Sequence, residues 1–208
     1  MRQSRKETAW KKSRTFGDIK GGRSRPNMAD NIFKRLHSLL PPSAGQEVPI
    51  FMADNPSRDF FFPITVEEIK ATLAKLPKDH IEGITHVWLH KRKTRDYGLE
   101  TSYQAEFICG SGVGLITLYA FPCDLKMRFG NKKPSSKVLS WYSAYQPELI
   151  LEKKEWVLQW TEDKVRRYFL EGLLLYEVGA QITLYHREWT SAASSRRSEE
   201  FANEYAFS

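Results

Sequence analysis

The sequence predicts an α+β domain preceded by a basic arm. Apolar residues recur at helical spacing near both ends of the chain, and apolar runs typical of strands lie between them. No internal repeat is visible. The chain has 208 residues, of which 41% are hydrophobic, so it can form one sizeable core. We expect residues 29–208 to form a single domain, and residues 1–28 to form a disordered basic arm.

The positive charge of the chain is concentrated in residues 1–26. This segment holds nine Lys and Arg residues against Glu7 and Asp18, which accounts for the whole formal charge of +7. The remaining 182 residues hold 23 basic and 23 acidic residues. The arm predicts weak contact with nucleic acid or an acidic partner, or else a solvated leader that precedes a true start at Met28.

The cysteines and the most apolar segment predict the cellular compartment of the protein and whether it enters a membrane. Cys109 and Cys123 are too few for a disulfide framework, so we expect buried thiols in a reducing, cytoplasmic compartment. The most apolar long stretch, residues 169–185, carries Glu171 and Glu177. A spanning helix needs about 20 mostly apolar residues, so no membrane partner is expected.

The first part of the chain predicts two helices separated by a loop. Residues 29–40 show helical spacing and stop at two prolines, and residues 41–63 have the composition of a loop. Thr65 followed by Glu68 forms a capping-box pattern, which predicts a second helix ending at Pro77.

The middle of the chain predicts strands. Residues 84–90 are apolar on both alternating positions, which is typical of a strand buried on both faces. Residues 103–108 and 115–121 flank the glycine-rich segment 110–114. A phosphate-binding loop would lead into a helix, whereas a strand follows here, so we predict an antiparallel hairpin.

The last part of the chain predicts an irregular segment, a strand and two helices. Residues 122–146 are polar and irregular, and residues 156–160 form a short strand. Thr161 is the predicted N-cap of a long helix that reaches about His186, and a last helix begins at Ser198.

Two weaker features have bland explanations as well as functional ones. His86 and His90 share one face of a predicted strand, which is too little for a metal site and typical of ordinary sheet residues. The basic segments 91–95 and 126–137 have aromatic neighbours, as a groove for single-stranded nucleic acid would. Solvated loops are the simpler interpretation of these segments.

The segment Leu173–Gln181, with the sequence LLLYEVGAQ, resembles the active-site helix of zincin metallopeptidases. The core of that helix is His-Glu-x-x-His, in which two histidines bind zinc and the glutamate polarises the metal-bound water. The resemblance places Tyr176 and Ala180 on the two histidines, Glu177 on the catalytic glutamate and Gly179 on a glycine common in the family.

A second match lies downstream. Residues 199–206 resemble the following helix of the gluzincin branch, with Glu199 on the position of the third zinc ligand. The run 115–121 looks like the edge strand beside a zincin cleft. The metzincin spacing instead puts His186 on the third ligand position, but Thr183 replaces the glycine at which the metzincin chain turns.

The resemblance implies a zincin-like α+β fold, with a small, mostly antiparallel sheet packed against the motif helix and a following C-terminal helix. Two zinc ligands are missing, so it implies a vestigial Glu177, a site at Glu199 or His186 without metal, and no cofactor. The chain would then be a pseudoenzyme that binds a protein or peptide partner in the old cleft. The alternatives are an active zinc metallopeptidase with unplaced ligands, or a nucleic-acid-associated accessory protein that uses the arm and the basic loops.

Overall fold

The structure is a computed structural model, and it describes residues 39–92, 104–110, 112–185 and 192–207. The predicted basic arm and most of the helix predicted for residues 29–40 lie outside these residues. Most of the basic turn predicted for residues 91–95 also lies outside them. Leu39 and Leu40, at the end of the predicted helix, are not helical.

Short strands alternate with helices along the described residues. The strands are β1 Ile50–Ala53, β2 Phe60–Phe61, β3 His86–His90, β4 Ala105–Gly110, β5 Val113–Tyr119, β6 Phe121–Pro122, β7 Lys126–Gly130, β8 Glu148–Glu152 and β9 Glu155–Gln159. The helices are α1 Val66–Leu73, α2 Lys78–Ile81, α3 Ser136–Ser140, α4 Glu162–Arg167, α5 Leu175–Tyr185 and α6 Ala192–Phe207. A 3₁₀ turn covers Ser143–Tyr145, and a π-helical segment covers Tyr168–Leu174. The predicted α+β class is confirmed.

The largest sheet has four strands in the order β1-β3-β5-β4. Strand β3 pairs in parallel with β1 and with β5, and β4 pairs antiparallel with β5. The expectation of a mostly antiparallel sheet is therefore wrong for this sheet. Parallel pairing is set by long-range crossovers, which local patterns do not reveal. Strands β7, β9 and β8 form a separate antiparallel sheet, and β2 pairs with β6.

Strand β4 is one of the two edge strands of this sheet, and the run 115–121 is not an edge strand. Strand β5 lies between β3 and β4, and six of its seven residues are buried. Such continuous burial is typical of an inner strand. The expectation of an edge strand at residues 115–121 is therefore wrong, and the edge strand next to it is Ala105–Gly110.

The hairpin predicted around the glycine-rich segment is confirmed. Strand β4 pairs with β5 from Ala105↔Leu118 to Gly110↔Val113, and a strand rather than a helix begins at Val113. A Cβ at Gly114 would lie only 1.9 Å from the carbonyl oxygen of Gly83. Glycine is thus needed here for close packing of two backbone segments.

Two segments predicted as loops contain regular structure. Residues 41–63 include β1 and β2, and residues 122–146 include β7 and α3. Strand β1 has only four residues, too few for a clear strand pattern in the sequence. Backbone hydrogen bonds to β3 hold it in the sheet. The strand predicted at 156–160 is confirmed as β9, one residue earlier.

Side-chain caps fix the beginnings of two helices. Thr65 Oγ1 accepts from the backbone N–H of Glu68, and the Glu68 carboxylate accepts from the backbone N–H of Thr65, so the predicted capping box is confirmed. Thr161 Oγ1 accepts from the N–H of Lys164 at the start of α4, as predicted. The last helix begins at Ala192, earlier than the predicted Ser198.

The main core lies between the large sheet and the continuous run formed by α4, the π-helical segment and α5. Sheet and helix side chains meet there and are almost fully buried: Val87, Leu89, Ile116, Leu118, Val165, Phe169, Leu174 and Val178. Burial of this apolar surface is the dominant favourable term in folding and holds the helical run against the sheet. Among the described residues, no helix combines the length and apolar character needed to cross a membrane.

Candidate functional site

The motif segment covers the end of the π-helical segment and the first part of α5, where this helix approaches the edge of the large sheet. Tyr176 and Ala180, one turn apart, are partly exposed, and Glu177 between them is only 6% exposed. Helix α5 packs against α6 and also contacts β4. The segment therefore lies at a junction of two helices and an edge strand.

Helices α5 and α6 approach each other closely at Gly179. A Cβ on Gly179 would lie 2.9 Å from the Cα of Ala202 and 3.0 Å from the Cβ of Tyr205. Real Cβ atoms essentially never come that close, so glycine allows the two helices to touch. This contact fixes α6, and with it Glu199, relative to the motif segment.

Glu177 is a buried carboxyl group beside the edge strand. Burial raises its pKa most, the charge of Glu106 on β4 adds to the rise, and a hydrogen bond from the backbone N–H of Phe107 opposes it. The net effect raises the pKa of Glu177 to about 8. At neutral pH the folded protein therefore holds Glu177 mainly as a neutral carboxylic acid.

Tyr176 contacts the Trp141 ring and lies within electrostatic range of Glu199. Its ring makes an edge-to-face contact with Trp141, with centroids 5.3 Å apart and planes at 73°. Burial raises the pKa of Tyr176 to about 12, with further contributions from the charges of Glu177 and Glu199. Glu199 itself is exposed on α6. The structure thus places Glu177 and Glu199 close enough to Tyr176 for their charges to affect the pKa of its phenol.

The residues that the structure describes at this site do not fit zinc. Catalytic zinc takes about three protein ligands with nitrogen, sulfur or carboxylate oxygen donors. Ala180 has no donor atom, the Tyr176 phenol keeps its proton at neutral pH, and only Glu199 supplies an exposed carboxylate. No cluster of three His, Cys, Asp or Glu side chains suited to a metal occurs within the described ranges. His186, the metzincin alternative, lies outside them.

The two strand histidines occupy different environments. His86 is 3% exposed, burial lowers its pKa, and its Nδ1 lies 2.8 Å from Thr85 Oγ1. His90 Nδ1 lies 2.7 Å from Asp54 Oδ2. An ionised carboxylate only accepts hydrogen bonds, so Nδ1 of His90 carries the proton.

Asp54 follows β1 directly and collects hydrogen bonds from three neighbours. Burial raises its pKa, but bonds from the Lys91 backbone N–H, the Trp88 indole and His90 outweigh this and lower it overall. Sequence reasoning missed Asp54 because β1 itself was missed. The pair orients an imidazole, but within the described parts of the chain it has no third metal-binding side chain beside it.

The basic segment 126–137 is partly neutralised by its own neighbours. Lys126 pairs with Glu152 at 2.6 Å, and Arg128 pairs with Asp124. Lys133 Nζ lies 5.2 Å from the centre of the Trp156 ring. These contacts offset part of the charge of the segment, which contains β7 and the start of α3 and is therefore not the simple solvated loop that the sequence suggested.

The cysteines differ from expectation. Cys109 is the next-to-last residue of β4 and Cys123 follows β6, and both are exposed, so the prediction of buried thiols is wrong. Positions near strand ends at the sheet margin have fewer covering neighbours than positions in inner strands.

Sequence reasoning also missed Trp141 and Glu106 as neighbours of the motif. Both lie more than thirty residues before Tyr176, and nothing in their local pattern points to α5. No protein-family model, no curated protein and no solved structure matches the chain. The function has to be inferred from the geometry.

Proposed function

We propose that the chain is a metallopeptidase-like pseudoenzyme that binds a protein or peptide partner beside the motif helix. The observation that carries the proposal is the arrangement of Tyr176, Glu177 and Glu199. These residues lie on two helices in close contact, next to the edge strand of a mixed sheet. That is the arrangement expected of a zincin site whose ligands have changed.

Strand β4 supports the binding role. It is one of the two outermost strands of the large sheet, and among the described residues no strand pairs with its outer side. An outermost strand offers backbone N–H and C=O groups to an added extended chain. The backbone N–H of Phe107 on this strand already donates to Glu177, which places the motif helix directly beside the edge.

The chemistry of Glu177 favours binding over hydrolysis. A metal-free site has no activated water for this residue to serve, and the raised pKa keeps it neutral near pH 7. A neutral, buried carboxylic acid is not the ionised base that zincin hydrolysis requires, and Glu177 instead accepts a bond from Phe107 that joins α5 to β4. The rival function, an active zinc enzyme, needs ligands from residues outside the described ranges or from another chain.

The test restores the missing ligands. We expect Tyr176→His with Ala180→His to gain zinc affinity well above wild type, because the two imidazoles would share a face of α5, and Glu199 lies on α6, which packs against α5. Adding Glu199→Ala should remove the gain. Zinc binding is measured by calorimetry on the purified full chain. The matched control is Tyr176→Gln with Ala180→Gln, which adds similar volume without imidazole ligands.

A folded histidine double variant that takes up no more zinc than the glutamine control would contradict a zincin origin. One equivalent of tightly held zinc in the wild-type protein, with peptide cleavage, would instead establish the active enzyme. Overpacking at Ala180 costs about 1–3 kcal/mol, so the melting transition of each variant is recorded first.

A further inference from the structure

The Trp141–Tyr176 pair has the geometry of a partial aromatic cage. The two ring planes lie at 73° with centroids 5.3 Å apart, so they form two walls close to a right angle. Trp141 is 37% exposed and Tyr176 is partly exposed, so solvent reaches the pair. Cations bind to the faces of such rings because the ring quadrupole is negative there.

Among the described residues, lysine and arginine side chains lie over the faces of three other aromatic rings. Lys70 lies over Phe51, Arg92 over Tyr119 and Lys133 over Trp156, at 4.8–5.2 Å from the ring centres. Among the described residues, no Lys or Arg lies over Trp141 or Tyr176.

A carboxylate completes the site. Glu199 is exposed, and within the described ranges its carboxylate makes no ion pair. Its charge contributes to the raised pKa of the Tyr176 phenol, so Glu199 lies within electrostatic range of that ring. Glu177 is buried, so Glu199 is the carboxylate of this pair that solvent reaches. A cation beside Tyr176 would be attracted by the charge of Glu199.

We propose that Trp141, Tyr176 and Glu199 bind the cationic side chain of a lysine or arginine in an extended peptide partner. The inference rests on the proposed function, because the peptide backbone would pair along β4. Val138, which is 38% exposed and lies one turn before Trp141, offers an apolar contact to a flanking side chain. The pairing of one cation with two rings and one carboxylate supplies the specificity.

The experiment compares fluorescein-labelled pools of short peptides that differ only at the central residue. One pool has lysine there, one has arginine, and one has norleucine, which keeps the length of the lysine stem without its charge. Binding to the full chain is measured by fluorescence anisotropy. We expect the two cationic pools to bind about threefold to tenfold more tightly than the norleucine pool.

Variants assign the effect to Trp141 and Glu199. Trp141→Leu keeps an apolar side chain without the large ring face, and Glu199→Gln removes the charge; each should bring the cationic pools close to the norleucine pool. Glu204→Gln is the matched control, because it removes a charge from another exposed position of α6 and should leave the preference intact. If the Trp141→Leu protein does not fold, the comparison of Glu199→Gln with Glu204→Gln still tests the proposal, because both substitutions are at exposed positions.

The outcomes separate the two proposals. If all pools bind alike and neither Trp141→Leu nor Glu199→Gln changes the affinities, the cation site is wrong while peptide binding stands. If no pool binds the wild-type protein, the peptide-binding function itself is contradicted, and the cation site falls with it.

Discussion

Glu177 shows how one buried side chain takes its chemistry from its surroundings. It lies on α5 against β4, its pKa is raised to about 8, and Glu106 is the charged neighbour that adds to the effect of burial. The ordinary value for a glutamate is 4.5. The folded protein therefore binds one more proton than the unfolded chain over the range between these values.

This difference predicts a pH dependence of stability. The folded pKa lies above the unfolded one, so the stabilising contribution is complete below about pH 4.5 and is lost as the pH rises to about 8. Within that window, the unfolding free energy of wild type should fall, relative to Glu177→Gln, by up to about 1.4 kcal/mol per pH unit. Urea unfolding at several pH values provides the comparison, and parallel profiles for the two proteins would contradict the raised pKa.

The contact between α5 and α6 is the element-scale feature that organises the site. Gly179 allows the close approach, and Ala202 on the opposite helix is fully buried. The two helices can therefore place Glu199 near Tyr176 only while both positions stay small.

We predict that Gly179→Ala destabilises the protein by about 1–3 kcal/mol, because the new Cβ must push α6 away. In an exposed helix the same change usually stabilises by about 0.5–1 kcal/mol, so the sign is informative. Ala202→Val, which crowds the contact from the other side, should act in the same direction. Chemical denaturation measures both, and a more stable Gly179→Ala variant would show that the helices do not touch there.

Helix α1 depends on its N-terminal capping box. Thr65→Ala removes the side-chain acceptor for the N–H of Glu68 and should cost about 0.5–2 kcal/mol of unfolding free energy. Thr65→Ser keeps the hydroxyl and is the control, with stability expected near wild type. Thermal melts of the three proteins decide, and equal losses for both variants would point to the Thr65 methyl group instead of the cap.

At the scale of the whole molecule, the excess positive charge and the segments with apolar periodicity lie in different parts of the sequence. The net charge of +7 belongs to residues 1–26, while the rest of the chain is balanced. In the described part, several basic side chains of the segment 126–137 are engaged with acidic or aromatic neighbours. Attraction to nucleic acid, if present, should therefore come from the arm.

Deletion of residues 1–26 tests this separation. We expect the shortened protein to keep the melting temperature of the full chain, because the deleted segment holds few apolar residues that could pack. Any oligonucleotide binding by the full chain should weaken steeply with salt and disappear on deletion. A drop of several degrees would show that the arm packs on the domain, and binding that survives deletion would favour the basic loops.

The sequence by itself determined the features that depend on neighbours along the chain. Thr65 and Thr161 signalled helix starts because an N-cap bonds to a backbone group three residues away. The hairpin of β4 and β5 followed from two strand patterns and the short link between them. The helical run that follows Thr161 was indicated by its N-cap and by the spacing of its apolar residues.

Only the tertiary structure decided the sheet order and the composition of the site. The parallel pairing of β1, β3 and β5 joins segments far apart in sequence. Strand β1 has only four residues, which is too short for a clear strand pattern in the sequence. Trp141 and Glu106 reach the motif segment through folds of the chain that no local spacing encodes. Hydrogen-bonded caps and periodicity are local, whereas strand pairing, burial and charge–charge contacts are set by the whole packed chain.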